Sequence, residues 1–240
     1  MEGGQVVTAY ELLVSGLQQF IPDSSPQAVD KLLRFSDLLL EKNKVMNLTA
    51  VSDPCEVVTR HFLDCASLVP YIKEGQSVLD VGTGAGFPGL PLAILCPSVQ
   101  FTLLDAQRKR IDFLSEVADA LELTNVLPVH ARAEEFALQH RGSFDLAVSR
   151  AVAELRVLCE LALPMVKVGG AFYAMKAADC ADEVGSASHA FAVLGAPAAE
   201  LLRYIVPHDG VERVLVRLQK TKETPTQYPR RFKKIQTNPL

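Results

Sequence analysis

Three groups of side chains in this sequence have the types and the spacing to do chemistry. The first is an acid followed by closely spaced glycines, Asp80-Val81-Gly82-Thr83-Gly84-Ala85-Gly86-Phe87-Pro88-Gly89, at the end of an apolar run. Glycine lets the backbone take positive φ and approach a ligand, and a helix after such a turn presents free N–H groups, so the stretch predicts a nucleotide-binding turn. The second group stands at or just past the ends of later apolar runs: Asp105, Glu134, Arg150 and Lys176. Carboxylates in such places accept hydrogen bonds from hydroxyls and amines, and cations pair with a ligand carboxylate or a substrate. The third is His61 with Asp64, three residues apart and therefore side by side on a helix.

Elements of two kinds must position these residues. Up to residue 75 the pattern is helical. Tyr10, Leu13, Val14 and Leu17 recur at helical spacing; Ser25-Pro26 opens a second helix; Asp53-Pro54-Cys55-Glu56 opens a third, with Asp53 as cap and Glu56 placed to reach back. From Gln76 short β-rich runs alternate with helical ones, the strands at 77–81, 100–104, 126–130, 144–149 and 171–176 and the helices at about 89–95, 108–122, 133–140 and 154–166. Such alternation predicts parallel strands with right-handed helical crossovers. A helix near 181–194 follows, and then two strand-like runs flank His208-Asp209-Gly210, a hairpin signal that ends the sheet in an antiparallel pair.

Two ligand motifs fit the glycine turn. Gly84, Gly86 and Gly89 satisfy the dinucleotide pattern, with Asp105 standing 21 residues after Gly84 as a ribose-binding acid. Gly82, Gly84 and Gly86 after Asp80 satisfy the turn of S-adenosylmethionine-dependent methyltransferases. The carboxylate of Asp80 repels a pyrophosphate and attracts the ammonium of S-adenosylmethionine. Pro88 removes one N–H from the helix start that would cradle an anion. The terminal hairpin also suits the methyltransferase sheet. The plainer alternatives are a packing turn that binds nothing, Asp105 as a helix cap, Glu134 as first-turn helix charge, Arg150 in an internal ion pair with Asp80 or Asp145, and His61 as a packing histidine held by Asp64.

Composition bounds the class. The chain has 240 residues, 49% of them hydrophobic, enough for one sizeable α/β domain with an appendage. No apolar run reaches the roughly 18 residues of a membrane span and Met1–Tyr10 is no signal peptide, so a cytoplasmic protein is expected. Five cysteines without a C-x-x-C pair predict reduced thiols and no metal site. Net charge is −4, yet residues 220–240 hold six Lys/Arg against one Glu. Phosphate contact and a merely solvated terminus both fit that tail.

The stretches EKNKVMNLTAV, RHFLD, LDVGTGAGFPGLPLAI, FTLLDAQRKR, NVLPVHARAEEF, FDLAVSRAVAEL, GGAFYAMK and YPRR together resemble the ribosomal RNA small-subunit methyltransferase G family, also called glucose-inhibited division protein B, from about Leu33 onward. The resemblance implies a class I, Rossmann-like methyltransferase fold: a mostly parallel seven-stranded sheet with a C-terminal antiparallel hairpin and an N-terminal helical cap. It implies methyl transfer from S-adenosylmethionine to N7 of one guanine (nucleotide 527) in 16S ribosomal RNA, free or in the small subunit. The expected organisation is a helical cap over 1–75, a cofactor-binding domain over 76–219 and a basic tail over 220–240.

Carried over by position, the resemblance implies that Gly82 and Phe87 line the cofactor site, and the glycine-turn motif adds Asp80, Gly84 and Gly86. Asp105, Ala106 and Gln107 serve the ribose and adenine, Ala133 and Glu134 the adenine, and Arg150 the reacting end. His61, Asp64 and Lys176 match recurrent family positions. The chain departs from the pattern at Ala177 and Cys65, where Gly and Ser are expected, and in the tail, which lacks a glycine after its arginines.

Guanine N7 has a lone pair and no proton to lose, so the implied reaction needs no general base. Asp80 and strand-end carbonyls are expected to stabilise the charge that develops on the purine. Lys220, Lys222, Arg230, Arg231, Lys233 and Lys234 are the expected RNA contacts, joined by Arg108, Lys109 and Arg110. Two other functions compete. A NAD-dependent oxidoreductase would bind NADH rather than S-adenosylmethionine, and a non-catalytic RNA-binding module with a degenerate cofactor fold would transfer no methyl group.

Overall fold

The computed structural model describes residues 7–240; the first six residues of the expected helical cap, and of the start read as no leader, lie outside the described residues. Helix α1 (Ala9–Leu17) begins with a capping box in which Thr8 accepts the N–H of Glu11 and the Glu11 carboxylate takes the N–H of Thr8. Helix α2 (Pro26–Met46) starts on the Ser25 hydroxyl, as its sequence predicts, and stops at Asn47 in the left-handed region at φ +50°. Asp53 caps α3 (Pro54–Val57), accepting the N–H of Glu56 at 3.0 Å, but Glu56 does not reach back; it lies 3.5 Å from Arg60. The helix then widens into a π turn over Val58–Phe62 before α4 (Leu63–Ala66). That wider turn interrupts the α-helical register between His61 and Asp64, whose side chains meet at Arg150 rather than each other.

Strands β1 (Ser77–Val81), β2 (Gln100–Asp105), β3 (Val126–His130), β4 (Phe144–Arg150) and β5 (Val166–Ala177) pair in parallel, while β7 (Glu212–Gln219) runs antiparallel to β5 and to β6 (Ala199–Ile205). The order is β3-β2-β1-β4-β5-β7-β6. The crossovers carry α5 (Gly89–Leu95), α6 (Arg108–Ala120), α7 (Ala133–Phe136) and α8 (Leu155–Ala162), and α9 (Ala181–Ser186) with α10 (Ser188–Val193) leads to β6. The structure shortens the expected 154–166 helix, because Pro164 cannot donate to continue it and a tighter turn carries the chain through Met165. Strand β5 starts five residues early, bent where Gly169 takes φ +89°.

Strand alternation divides the core between the two faces of the sheet. Val78 packs among α2, α5 and α6, whereas Leu79 and Val81 pack on the α8 side. The chain runs outward from β1 to β3, then returns to β4 on the other side of β1. Reversals of this kind leave a crevice beyond the carboxyl ends of the strands. The last segment is built into the body, ending in α11 (Phe232–Thr237), with Ile235 fully buried in the α8-side core. Among the described residues, no helix is long and apolar enough to cross a membrane, and all five cysteines are free thiols.

Candidate cofactor and substrate site

A cleft of about 680 Å³ occupies that crevice, walled by the glycine turn, the β2 and β3 ends, and the β4 end. Gly82, Gly84, Phe87, Asp105, Ala106, Gln107, Ala133, Glu134 and Arg150 all line it. Gly86 and Asp80 do not, and each has a physical reason. Gly86, at φ +101°, is buried against Leu90 and Leu114, where a Cβ would fall 2.6 Å from Leu90. Asp80 alternates with Leu79 and Val81 and so points to the opposite face, beneath α5. Its carboxylate is fully buried and accepts the Gly89 N–H at 2.8 Å. Burial pushes its pKa up to about 7, against the lowering effect of the Thr83 hydroxyl and the Gly89 N–H. The expectation that Asp80 faces a ligand ammonium or the purine is therefore corrected: it holds the turn from below.

The turn spends most of its N–H groups on the protein. Gly84 donates to Asp105 at 3.0 Å, Gly86 and Phe87 donate to the Thr83 carbonyl at 2.9 Å, and Gly89 donates to Asp80. A pyrophosphate needs those donors free and convergent. Three arginines also line the cleft, Arg110, Arg132 and Arg150, each already paired with a carboxylate, and beside them stand the acceptors. Asp105, at the end of β2, accepts Gln107 N–H at 2.8 Å and takes Arg110 at 3.2 Å. It does not cap α6, which has no side-chain cap. Glu134 pairs with Arg132 at 3.2 Å beside Ala133. Carboxylates on the wall suit ribose hydroxyls, an exocyclic amine and an ammonium, so the residues present fit a sulfonium nucleoside better than a dinucleotide.

The β4 end carries Ser149-Arg150-Ala151. Buried Ser149 donates to the Val81 carbonyl at 2.8 Å, clamping β4 to β1 where the cleft opens. Ala151 adopts φ +57°, a conformation that costs a non-glycine residue energy and turns the chain sharply at the rim. Arg150 pairs with neither Asp80 nor Asp145. Its Nη1 lies 3.1 Å from Asp64, and its guanidinium sits 4.8 Å from the Phe87 ring centroid. The other Asp64 oxygen accepts the Tyr204 hydroxyl at 2.7 Å. His61 is held by Thr49 rather than Asp64: Nε2 lies 2.9 Å from the hydroxyl, and Nδ1 lies 3.0 Å from the Arg60 carbonyl. Nδ1 thus faces both an acceptor, the Arg60 carbonyl, and a donor, Arg150 Nη2 at 3.3 Å, while Nε2 faces the Thr49 hydroxyl, which can play either part. Burial, reinforced by Arg150, lowers the His61 pKa to about 4, leaving the ring neutral at physiological pH.

A second cleft of about 660 Å³ shares His61, Arg150 and Ala151 with the first and continues toward Arg60, Lys176 and Arg213. Lys176 is anchored, donating to Glu183 at 2.7 Å and to the Ala153 carbonyl at 3.0 Å. Two of the six tail cations depart from the expected RNA role. Lys220 is 2% exposed, bonded to the Leu163 and Val166 carbonyls and the Thr224 hydroxyl, and desolvation lowers its pKa to about 8. Arg230 grips fully buried Glu160 at 2.6 Å. Lys222, Arg231, Lys233 and Lys234 are exposed. Of the 108–110 cluster, Arg108 and Lys109 are exposed but Arg110 is committed to Asp105.

The chain matches the family model for rRNA small subunit methyltransferase G over residues 28–204. It belongs to that family. Ribosomal RNA small subunit methyltransferase G of Acetivibrio thermocellus is 41% identical, the match covering 96% of each chain. The protein of the same name from Alkaliphilus metalliredigens is 43% identical over 92% of this chain and 94% of its own. Among solved structures, an S-adenosylmethionine-dependent methyltransferase from Methanococcus maripaludis superposes with a TM-score of 0.57 at 13% identity, covering 80% of this chain and 94% of its own. The fold is thus the class I methyltransferase fold.

Several residues around the family's site carry no role in the sequence reading. Thr49 belongs to the NLTA stretch, where Asn43 brackets it through both backbone groups, its Nδ2 donating to the Thr49 carbonyl and its Oδ1 accepting the Thr49 N–H. Ser149 stands beside Arg150 in a recognised motif. A polar residue flanked by motif residues was the available signal for both. Tyr204 and Phe232 had none, since they reach Asp64 and the first cleft from distant elements.

Proposed function

We propose that this chain transfers a methyl group from S-adenosylmethionine to N7 of one guanine in 16S ribosomal RNA, working in the cytoplasm on free rRNA or on the small subunit. The observation that carries the reading is the inward commitment of most glycine-turn N–H groups beside a wall carrying Asp105 and Glu134, together with family membership. Asp105 would hold the ribose, Ala106, Gln107, Ala133 and Glu134 the adenine, and Gly82, Gly84 and Phe87 the methionine end beside Arg150.

S-adenosylmethionine supplies an electrophilic methyl on a sulfonium. The chain's own part is to position and to exclude water. N7 has no proton to give up, and the site holds no poised base: His61 is neutral, and both its ring nitrogens are already hydrogen-bonded. With Asp80 beneath the turn, charge developing on the purine falls to strand-end carbonyls and to Asp64 in the second cleft. The second cleft meets the first at His61 and Arg150 and is the natural berth for the base. N7 lies in a groove of A-form RNA that side chains cannot enter, so the guanine must arrive unpaired or extruded.

The test is transfer of labelled methyl to 16S rRNA lacking the modification, with the product mapped. Label on one guanine as 7-methylguanine is expected. Bound S-adenosylmethionine without transfer would support a non-catalytic RNA-binding module instead.

A further inference from the structure

Phe232 reaches the first cleft from outside the sheet. It lies eight residues before the end of the described chain, yet it lines the cleft on the side of Ala133 and Glu134. Its ring sits 4.1 Å from the Arg132 guanidinium, which is itself tied to Glu134. A guanidinium on one side of an aromatic ring fixes the ring's orientation.

The segment that delivers this ring is anchored on both sides. Before it, Arg230 gives its backbone N–H, Nε and Nη2 to Glu160 at 2.6–3.1 Å, and Glu160 is fully buried in α8. Earlier still, Arg141 holds the carbonyls of Thr224, Pro225 and Tyr228. After it, Ile235 is fully buried. So many anchors on a segment of mostly polar composition make sense if its place matters. Between them, Arg231, Lys233 and Lys234 flank Phe232 and stand exposed.

We infer that Phe232 is a cofactor-contact residue that closes the adenine side of the cleft, and that the segment carrying it links cofactor affinity to RNA binding, because the same six residues, Arg230 to Ile235, that hold the ring also present three cations to phosphate. This rests on the methyltransferase reading above. Base-on-aromatic contacts typically change affinity by about 5- to 100-fold per ring. Linkage is reciprocal: RNA that steadies the segment tightens the cofactor by the factor by which the cofactor tightens RNA.

Calorimetry on the full chain tests it, with S-adenosylmethionine, adenosine and S-adenosylhomocysteine as ligands and unmodified 16S rRNA as the RNA. Phe232→Ala should weaken S-adenosylmethionine and adenosine by a common factor of about tenfold, and Phe232→Trp should recover most of the loss. In the wild type, RNA should tighten S-adenosylhomocysteine severalfold, and Phe232→Ala should erase that gain. Wild-type affinities in Phe232→Ala would overturn the inference. So would a loss that Phe232→Trp fails to restore and that tracks a lowered Tm, which marks the ring as packing only. A wild type that binds no S-adenosylmethionine would overturn the donor reading itself, and this inference with it.

Discussion

The glycine-turn cleft and the C-terminal segment are both short, motif-bearing stretches, and they differ in where their partners lie. In the turn, groups that satisfy one another are local or one strand apart: Gly89 with Asp80, Gly84 with Asp105, Phe87 with Thr83. In the segment, Arg230 finds Glu160 seventy residues back, and Lys220 finds the Leu163 carbonyl 57 residues back. Charge counted along the chain therefore overstates the cations free to meet RNA. Six become four once Lys220 and Arg230 are seen to hold the segment in place. A basic composition can belong to architecture as well as to a ligand.

That contrast can be broken or sharpened by substitution. The largest effect is expected from Glu160→Ala, which strands Arg230 without its buried partner. The cost should be about 3–5 kcal/mol in denaturant unfolding, and the segment should become protease-sensitive. A loss below about 1 kcal/mol would return the tail to the class of solvated termini. Asp105→Ala removes a carboxylate that organises the turn and faces the cleft. S-adenosylmethionine affinity should fall about 10- to 100-fold by calorimetry, with a smaller change in Tm.

Third comes the RNA surface. Replacing Lys222, Arg231, Lys233 and Lys234 by Ala should flatten the log-log salt dependence of RNA binding by about 2–3. Lys220→Met should leave that slope unchanged while lowering stability, so the two variants separate contact from architecture. An equal slope change in both would erase the distinction.

The smallest effect concerns pH. The folded pKa of His61, about 4, lies below its ordinary value of 6.5. Between those values the unfolded chain takes up a proton that the folded one refuses. The contribution is fully present above about pH 6.5 and is lost as pH falls toward 4. Asp80 acts with the opposite sign. Its pKa is raised from 3.8 to about 7, so its contribution is lost as pH rises across that range. In an Asp80→Asn background, His61→Gln should flatten the remaining fall in stability below pH 6.5 by about 1–2 kcal/mol. The methyl-transfer rate should show no His61 titration between pH 6 and 8, and a step there that His61→Gln removes would restore the histidine as an acid-base group.

Much of the sheet was legible because its periodicity is local. β1 and β3 match the expected limits, β2 and β4 extend them by one residue, and the Asp-Gly hairpin stands where the turn residues put it. β5 begins five residues before its β-rich run at 171–176, because the parallel ladder with β4 carries the strand across a register shift. Asp80 was placed by motif in the cleft, and strand alternation puts it on the other face. α-Helical spacing puts His61 beside Asp64, but the chain passes through a π turn there and both side chains meet Arg150 instead of each other. Phe232 and Tyr204 could not be read at all, since only the closing of the fold brings them to the site.

The central claim is that the cleft, most of its turn donors spent on Asp80, Asp105, Thr83 and Leu104, admits a sulfonium nucleoside and has no berth for linked phosphates. Parallel calorimetric titrations of the wild-type chain with S-adenosylmethionine and NADH test it most directly. Saturable one-to-one binding of S-adenosylmethionine with no heat from NADH is the predicted result. NADH binding of equal or greater affinity would contradict the claim.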